Sequence, residues 1–346
     1  MKSLVIIMKT YSVALIGGVL FFYFHLPVPW LLGPLTAVLA FRIFLKQETN
    51  YPLFLKNLSF IILGTYFGLS FTRETFVLIG PYLLPFLFLT LVLIFVCICN
   101  ALMVSRWIEM DKRTSVLSAI PGGLSEMAAV SESIRANTSM VTIFQTIRLL
   151  AVVFIVPFFV VLLFSTSNPL PVEPIEQNVY SFSLHYVWFV VAGLFAWILR
   201  KKIVAAFVIV PLFIIALLQV GGLLLPVLPD IVILFAQMMI GISIGSMMKP
   251  SDLKLAGKYS IVFFLIALIT ILLSFLLGFV FSQMTDISMA TGLLSVAPGG
   301  LVEMVLTAKA VGADPAIVSS LQFVRLLIIL IFVPPLLKWA FHSDRQ

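Results

Sequence analysis

Polar side chains are so sparse along this chain that they punctuate a series of apolar runs. The runs fall near residues 5–24, 28–45, 54–72, 79–104 and 139–164, then near 184–200, 204–225, 231–248, 260–281 and 316–337. Crossing a hydrocarbon core of about 30 Å takes about 20 apolar residues in helix. The pattern therefore predicts an all-α membrane protein with about ten transmembrane helices.

The five-plus-five spacing reflects an internal duplication. At an ungapped offset of 177, residues 114–160 match 291–337 at 17 of 47 positions, including Pro121/Pro298, Gly122/Gly299, Gly123/Gly300, Glu126/Glu303, Gln145/Gln322 and Arg148/Arg325. The same offset pairs Pro34/Pro211, Gly64/Gly241 and Gly68/Gly245. Leu matches would mean little here, but Pro, Gly, Glu, Gln and Arg are scarce. The chain reads as a first membrane repeat (1–165), a linker (166–182) and a second membrane repeat (183–346).

Between the fourth and fifth run of each repeat lies a Pro-Gly-Gly segment, 114–135 and 291–312, whose arms are too short or too polar to span lipid alone. It is either a re-entrant hairpin or a broken crossing helix. Charge favours the hairpin. With re-entrant segments and a cytoplasmic N-terminus, 17 Lys and Arg fall inside and only Arg73 and Lys309 outside, with Arg148 and Arg325 within helices. Crossing segments would leave 10 inside and 9 outside. Cytoplasmic loops carry the excess of Lys and Arg. Five crossings per repeat make the second repeat inverted, with both termini cytoplasmic and the linker outside. Trp107, Trp197 and Trp339 then lie near the inner interface and Trp30 near the outer one, as aromatic belts do.

Composition reinforces the membrane reading. Of 346 residues, 62% are hydrophobic and 10% charged, and the mean hydropathy is +1.20. Soluble domains are about 45–50% apolar and about 25% charged. The partner of most of the surface is therefore a lipid bilayer, in the plasma or inner membrane of the cell. The 21 Lys and Arg against 14 Asp and Glu sit in short clusters between runs, which excludes direct nucleic-acid binding. The basic start and apolar run at the N-terminus lack a cleavage site of signal-peptide type, so that segment is expected to be a retained helix.

Candidate chemistry sits at the breaks. Irregular backbone at membrane depth is tolerated only where protein or a water-filled cavity satisfies it. Secondary transporters place paired discontinuous helices around a midplane site. The candidate substrate-binding residues are Pro121, Gly122, Gly123, Glu126, Gln145 and Arg148, with their counterparts Pro298, Gly299, Gly300, Glu303, Gln322 and Arg325. Gln-x-x-Arg puts an amide and a guanidinium on one helix face, deep enough that the arginine needs a carboxylate, carbonyls or water. Two roles fit: a structural Glu–Arg pair within each repeat, or arginines that bind an anionic solute while the glutamates carry a coupling proton.

Enzyme chemistry finds no support. His25, His185 and His342 are far apart, Cys97 and Cys99 lie inside an apolar run, and no metal-ligand spacing is present. No cofactor or metal is expected.

The duplicated P-G-G-L-[SV]-E-M, followed by Q-x-x-R-L-L and a proline nine residues later, resembles the AbrB-type membrane protein family over nearly the whole chain. Members carry two labels, ammonia monooxygenase and regulator of AidB expression. The first implies metal ligands that this sequence lacks. The second implies regulation of gene expression, although no cytoplasmic domain is present to contact DNA. The hairpin-bearing five-plus-five plan is also similar to the cation/proton antiporter and bile acid symporter group. Two functions follow: a secondary transporter for a small, anionic solute, or a membrane-embedded sensor that affects expression indirectly. A coupling proton or cation and a homo-oligomer are left open as partners.

Overall fold

The structure is a computed structural model. It describes residues 2–340 apart from 72, 109, 123–126, 128–129, 133, 165–183, 204, 224, 249–250, 253–254 and 256. The linker expected at 166–182 thus lies outside the described residues. Among those described there are thirteen α-helices, one short 3-10 turn and no strand. The first half contributes α1 (Lys2–Tyr23), α2 (Pro29–Ile43), α3 (Leu53–Gly68), α4 (Arg73–Trp107), α5 (Lys112–Ala119) and α6 (Thr138–Phe164). The second contributes α7 (Val187–Leu199), α8 (Ala206–Val220), α9 (Asp230–Gly245), α10 (Tyr259–Thr285), α11 (Met289–Val296), α12 (Leu301–Ala310) and α13 (Pro315–Ala340).

Among the described residues, four stretches are long and apolar enough to cross a membrane: Val5–Tyr23, Ile79–Trp107, Thr138–Phe164 and Tyr259–Thr285. The runs expected at 28–45, 54–72, 184–200, 204–225 and 231–248 form shorter helices, of 15, 16, 13, 15 and 16 residues. At 1.5 Å per residue these reach about 20–24 Å. Their ends are written locally. Pro52 and Pro229 stand just before α3 and α9, where proline's missing N–H is harmless. Val28 and Ala205, at φ 42° and 52°, precede α2 and α8, and Gly221 with Gly222 (φ 89°) stops α8. The duplication is visible in these limits. Helices α2 and α8, α3 and α9, and α5 and α11 each start and stop 177 residues apart.

The chain divides into two compact units, and each draws on both sequence halves. Unit one is 1–80, 161–249 and 305–316; unit two is 81–160, 250–304 and 317–346. In unit one α1 packs on α2 and α7 on α8, while α3 contacts α8 and α9 contacts α2 and α3. Lipid tails are as apolar as leucine, so helices in a bilayer associate through close contact at small residues rather than a hydrophobic drive. Such contacts occur here in matched pairs. Gly64 of α3 lies against the Val208 carbonyl of α8, and Gly241 of α9 against the Leu31 carbonyl of α2. A Cβ on Gly68 would stand 2.7 Å from the Leu212 carbonyl, and one on Gly245 2.6 Å from that of Leu35. Both the glycines and their acceptors are related by 177 residues, so the two repeats grip each other reciprocally.

Unit two is built around Phe86, Leu93 and Cys97 of α4, Phe281 of α10, Val296 of α11 and Leu321 of α13, all fully or nearly buried. The Phe86 and Phe281 rings meet edge-on at 5.8 Å. Phe144 of α6 stacks on Phe263 of α10 at 3.9 Å. Helix α11 lies close on α10 because Gly278 and Gly292 face each other's backbone.

Candidate functional site

Each break in unit two is assembled in three local steps. First, a short helix is capped: Asp111 accepts from the Thr114 backbone N–H at 3.0 Å and Ser288 from that of Thr291 at 3.2 Å. Such caps satisfy one of the free N–H groups of a first helical turn. Second, the helix stops. Ile120 and Ala297 are extended, at ψ 130° and 136°, because the following proline disfavours helical backbone at the residue before it. Third, the chain turns over that proline. The Gly122 N–H donates to the Ile120 carbonyl and the Gly299 N–H to the Ala297 carbonyl, both at 2.8 Å.

Stopping a helix inside a protein strands the carbonyls of its last turn. Those carbonyls are what the Gln-x-x-Arg pairs serve. At the first break the Gln145 amide donates to Leu117 and Ile120 carbonyls at 2.5 and 3.0 Å. Arg148 donates to the carbonyls of Ile120 and Gly122, both at 2.8 Å. At the second, Gln322 donates to the carbonyls of Leu294, Ser295 and Ala297 at 2.7, 3.2 and 3.1 Å. Arg325 donates to those of Val296 at 3.4 Å, Ala297 and Gly299, and to the Gln322 side-chain oxygen. Among the described residues, both deep arginines donate to backbone carbonyls of the breaks. Both guanidiniums are buried, 8% and 5% exposed.

The two breaks share one cavity of about 130 Å³ within unit two. Pro121, Gly122, Gln145 and Arg148 line it with Pro298, Gly299, Gly300, Gln322 and Arg325. Leu149, Leu301, Leu326 and Ile329 complete the wall; nothing in their sequence context separated them from other aliphatics. Both arginines line the cavity, so it gathers positive charge. Gly122 and Gly299 sit beneath Met127 and Met304. Glu303 is buried in the first turn of α12, outside that lining, 6% exposed. Its carboxylate folds back over Gly300, where an added Cβ would strike it. Gly123 and Glu126 lie outside the described residues. Among the described residues no three His, Cys, Asp or Glu come together as a metal site would require.

These features define a helical membrane-type protein whose two repeats bring two helix breaks to one cationic cavity. The chain belongs to the AbrB family: the model described as "Transition state regulatory protein AbrB" matches residues 3–80 and 30–341. It is 30% identical over 253 residues to "Uncharacterized protein YhjN" of Bacillus subtilis (strain 168), a match covering 68% of this chain and 66% of that protein. It is 26% identical over 338 residues to "Putative regulator AbrB" of Escherichia coli (strain K12), covering 91% and 90%. The matched region thus spans just under two thirds of the first relative and nine tenths of the second.

Proposed function

We propose that this protein is a secondary transporter of a small anion, which it binds between the two breaks and moves by alternating access. The observation that carries the reading is the single cavity lined by both Pro-Gly-Gly segments and both Gln-x-x-Arg pairs. Liquid water takes about 30 Å³ per molecule, so about 130 Å³ suits an inorganic anion or a carboxylate of two to three carbons. Two buried guanidiniums favour negative charge there, and their bonds to carbonyls hold the breaks open around it. Glu303, buried at the start of α12, is the group assigned to a coupling proton.

The same reading includes ten crossings, with the four long apolar helices joined by the five shorter ones and by α13. It takes the repeats as oppositely oriented, the breaks as entering from opposite faces, and both termini as cytoplasmic. The regulatory wording of the family description and of one relative supports a second role, in which solute flux or occupancy is sensed and relayed to gene expression.

Proteoliposome uptake of a panel of phosphate, formate, acetate, lactate and pyruvate, under an imposed pH gradient, tests the proposal. Accumulation of at least one of them by the wild type, reduced to the empty-liposome level in Arg148→Gln, is expected. No accumulation of any anion under either gradient direction would reject it.

A further inference from the structure

Unit one carries a groove that the transport reading leaves unused. It has a volume of about 680 Å³ and runs between α3, α7 and α8 over Ile61, Ile62, Phe189, Val190, Leu194 and Phe207. Its two ends differ. At one end α7 finishes while α3 and α8 begin, and there Asn57, Trp197 and Arg200 line the groove. The Arg200 guanidinium lies over the Trp197 ring, 4.4 Å from its centroid. Exposed Lys201 and Lys202 follow directly, and Lys56 stands in the first turn of α3. No acidic residue occurs between residues 49 and 73 or between 177 and 229, so none from these segments neutralises the cluster. At the other end, Leu228 lines the groove beside the start of α9.

Length narrows the occupant. From Val190 to Arg200 is ten residues of helix, about 15 Å at 1.5 Å per residue. That is half of a hydrocarbon core of about 30 Å, the depth of one leaflet. We propose that this groove is a binding site for an anionic phospholipid, with an acyl chain along the aliphatic walls and the phosphate at Arg200, beside the exposed Lys201 and Lys202. The Trp197 ring beneath the Arg200 guanidinium favours the cation, whose N–H groups can bind a phosphate in bidentate fashion. A protein helix seated in the groove would have to answer three consecutive cations, Arg200, Lys201 and Lys202, at one end only. A phospholipid does so by its construction.

Native mass spectrometry of the full chain in mild detergent tests this with dioleoyl phosphatidylglycerol, dioleoyl phosphatidylethanolamine and free glycerol phosphate. Basic residues near a membrane surface contribute enough each that retention of phosphatidylglycerol is expected to fall by more than about tenfold in the Arg200→Gln/Lys201→Gln/Lys202→Gln variant. All three side chains are exposed, so the fold should persist. Gly193→Leu, which fills the groove wall, should reduce retention while the charges remain. Equal retention of the two lipids, or full retention in the charge variant, would overturn the proposal. So would glycerol phosphate competing at the lipid's own concentration, which would mean a free-phosphate site. Loss of a dimer in Gly193→Leu with lipid retention unchanged would assign the groove to a second copy instead.

Discussion

The two breaks of unit two are built from the same residues at the same spacing, yet they are not equally complete. At the second, Arg325 and Gln322 bond to each other and to carbonyls from Leu294 to Gly299. At the first, Arg148 and Gln145 reach a smaller set of carbonyls. The Arg148 Nε and the Gln145 side-chain oxygen are buried without a hydrogen-bond partner among the described residues. Buried polar atoms are usually paired, and an exception calls for a reason. The difference teaches that one duplicated motif can be divided between two tasks. Among the described residues the second break is a closed brace, and the first has a donor and an acceptor left over beside the cavity.

The comparison can be broken by stability measurements. Arg325→Gln strands the carbonyls of Val296 and Gly299, while Ala297 keeps its Gln322 and Gly299 donors, and a buried unsatisfied group costs about 1–3 kcal/mol. Apparent melting of the purified protein should therefore fall sharply, by a loss on the order of 3 kcal/mol or more. Arg148→Gln strands the Gly122 carbonyl alone, since Ile120 keeps its Gln145 and Gly122 donors, and should lose less. Equal losses, or a larger one for Arg148→Gln, would remove the division of labour.

A smaller effect is expected where the repeats grip each other in unit one. Gly64→Leu and Gly241→Leu each push a side chain into a carbonyl of the facing helix. Overpacking of this sort typically costs about 1–3 kcal/mol, and reciprocal geometry implies similar losses in both variants. Gly80 in α4 has nothing within 4 Å of an added Cβ. Gly80→Ala should therefore leave melting unchanged or raise it by up to about 1 kcal/mol, the helix-propensity gain. A destabilised Gly80→Ala would show that open space is not what separates these glycines.

Much of this arrangement could be read from the chain. Pro121 and Pro298 dictate an extended residue before them, and the helices end there. The offset of 177 that aligns the two motifs also aligns the limits of α2 with α8 and α3 with α9. The pairing of Gly64 with Gly241 marked positions that prove to be close backbone approaches. The acceptors of Arg148 and Arg325 could not be chosen from sequence, because every residue carries a carbonyl and only the folded turn aims particular ones. The compact units were hidden for a related reason. A repeat marks shared ancestry of local pattern, whereas compactness follows which helices touch, and here α3 touches α8 and α9 touches α2 across the repeats. The shortness of α7 was masked by its composition, since an apolar run looks alike whether lipid or protein surrounds it.

The most direct test is ligand-induced stabilisation of the purified protein, with the wild type, Arg148→Gln and Arg325→Gln melted with and without each small anion. A ligand at 100 times its dissociation constant adds about 2.7 kcal/mol to the folded state. The expected result is a raised melting temperature of the wild type with at least one anion, and a folded Arg148→Gln that no longer responds. An unresponsive wild type across the panel, or a full response in Arg148→Gln, would contradict the assignment of the first break to solute binding.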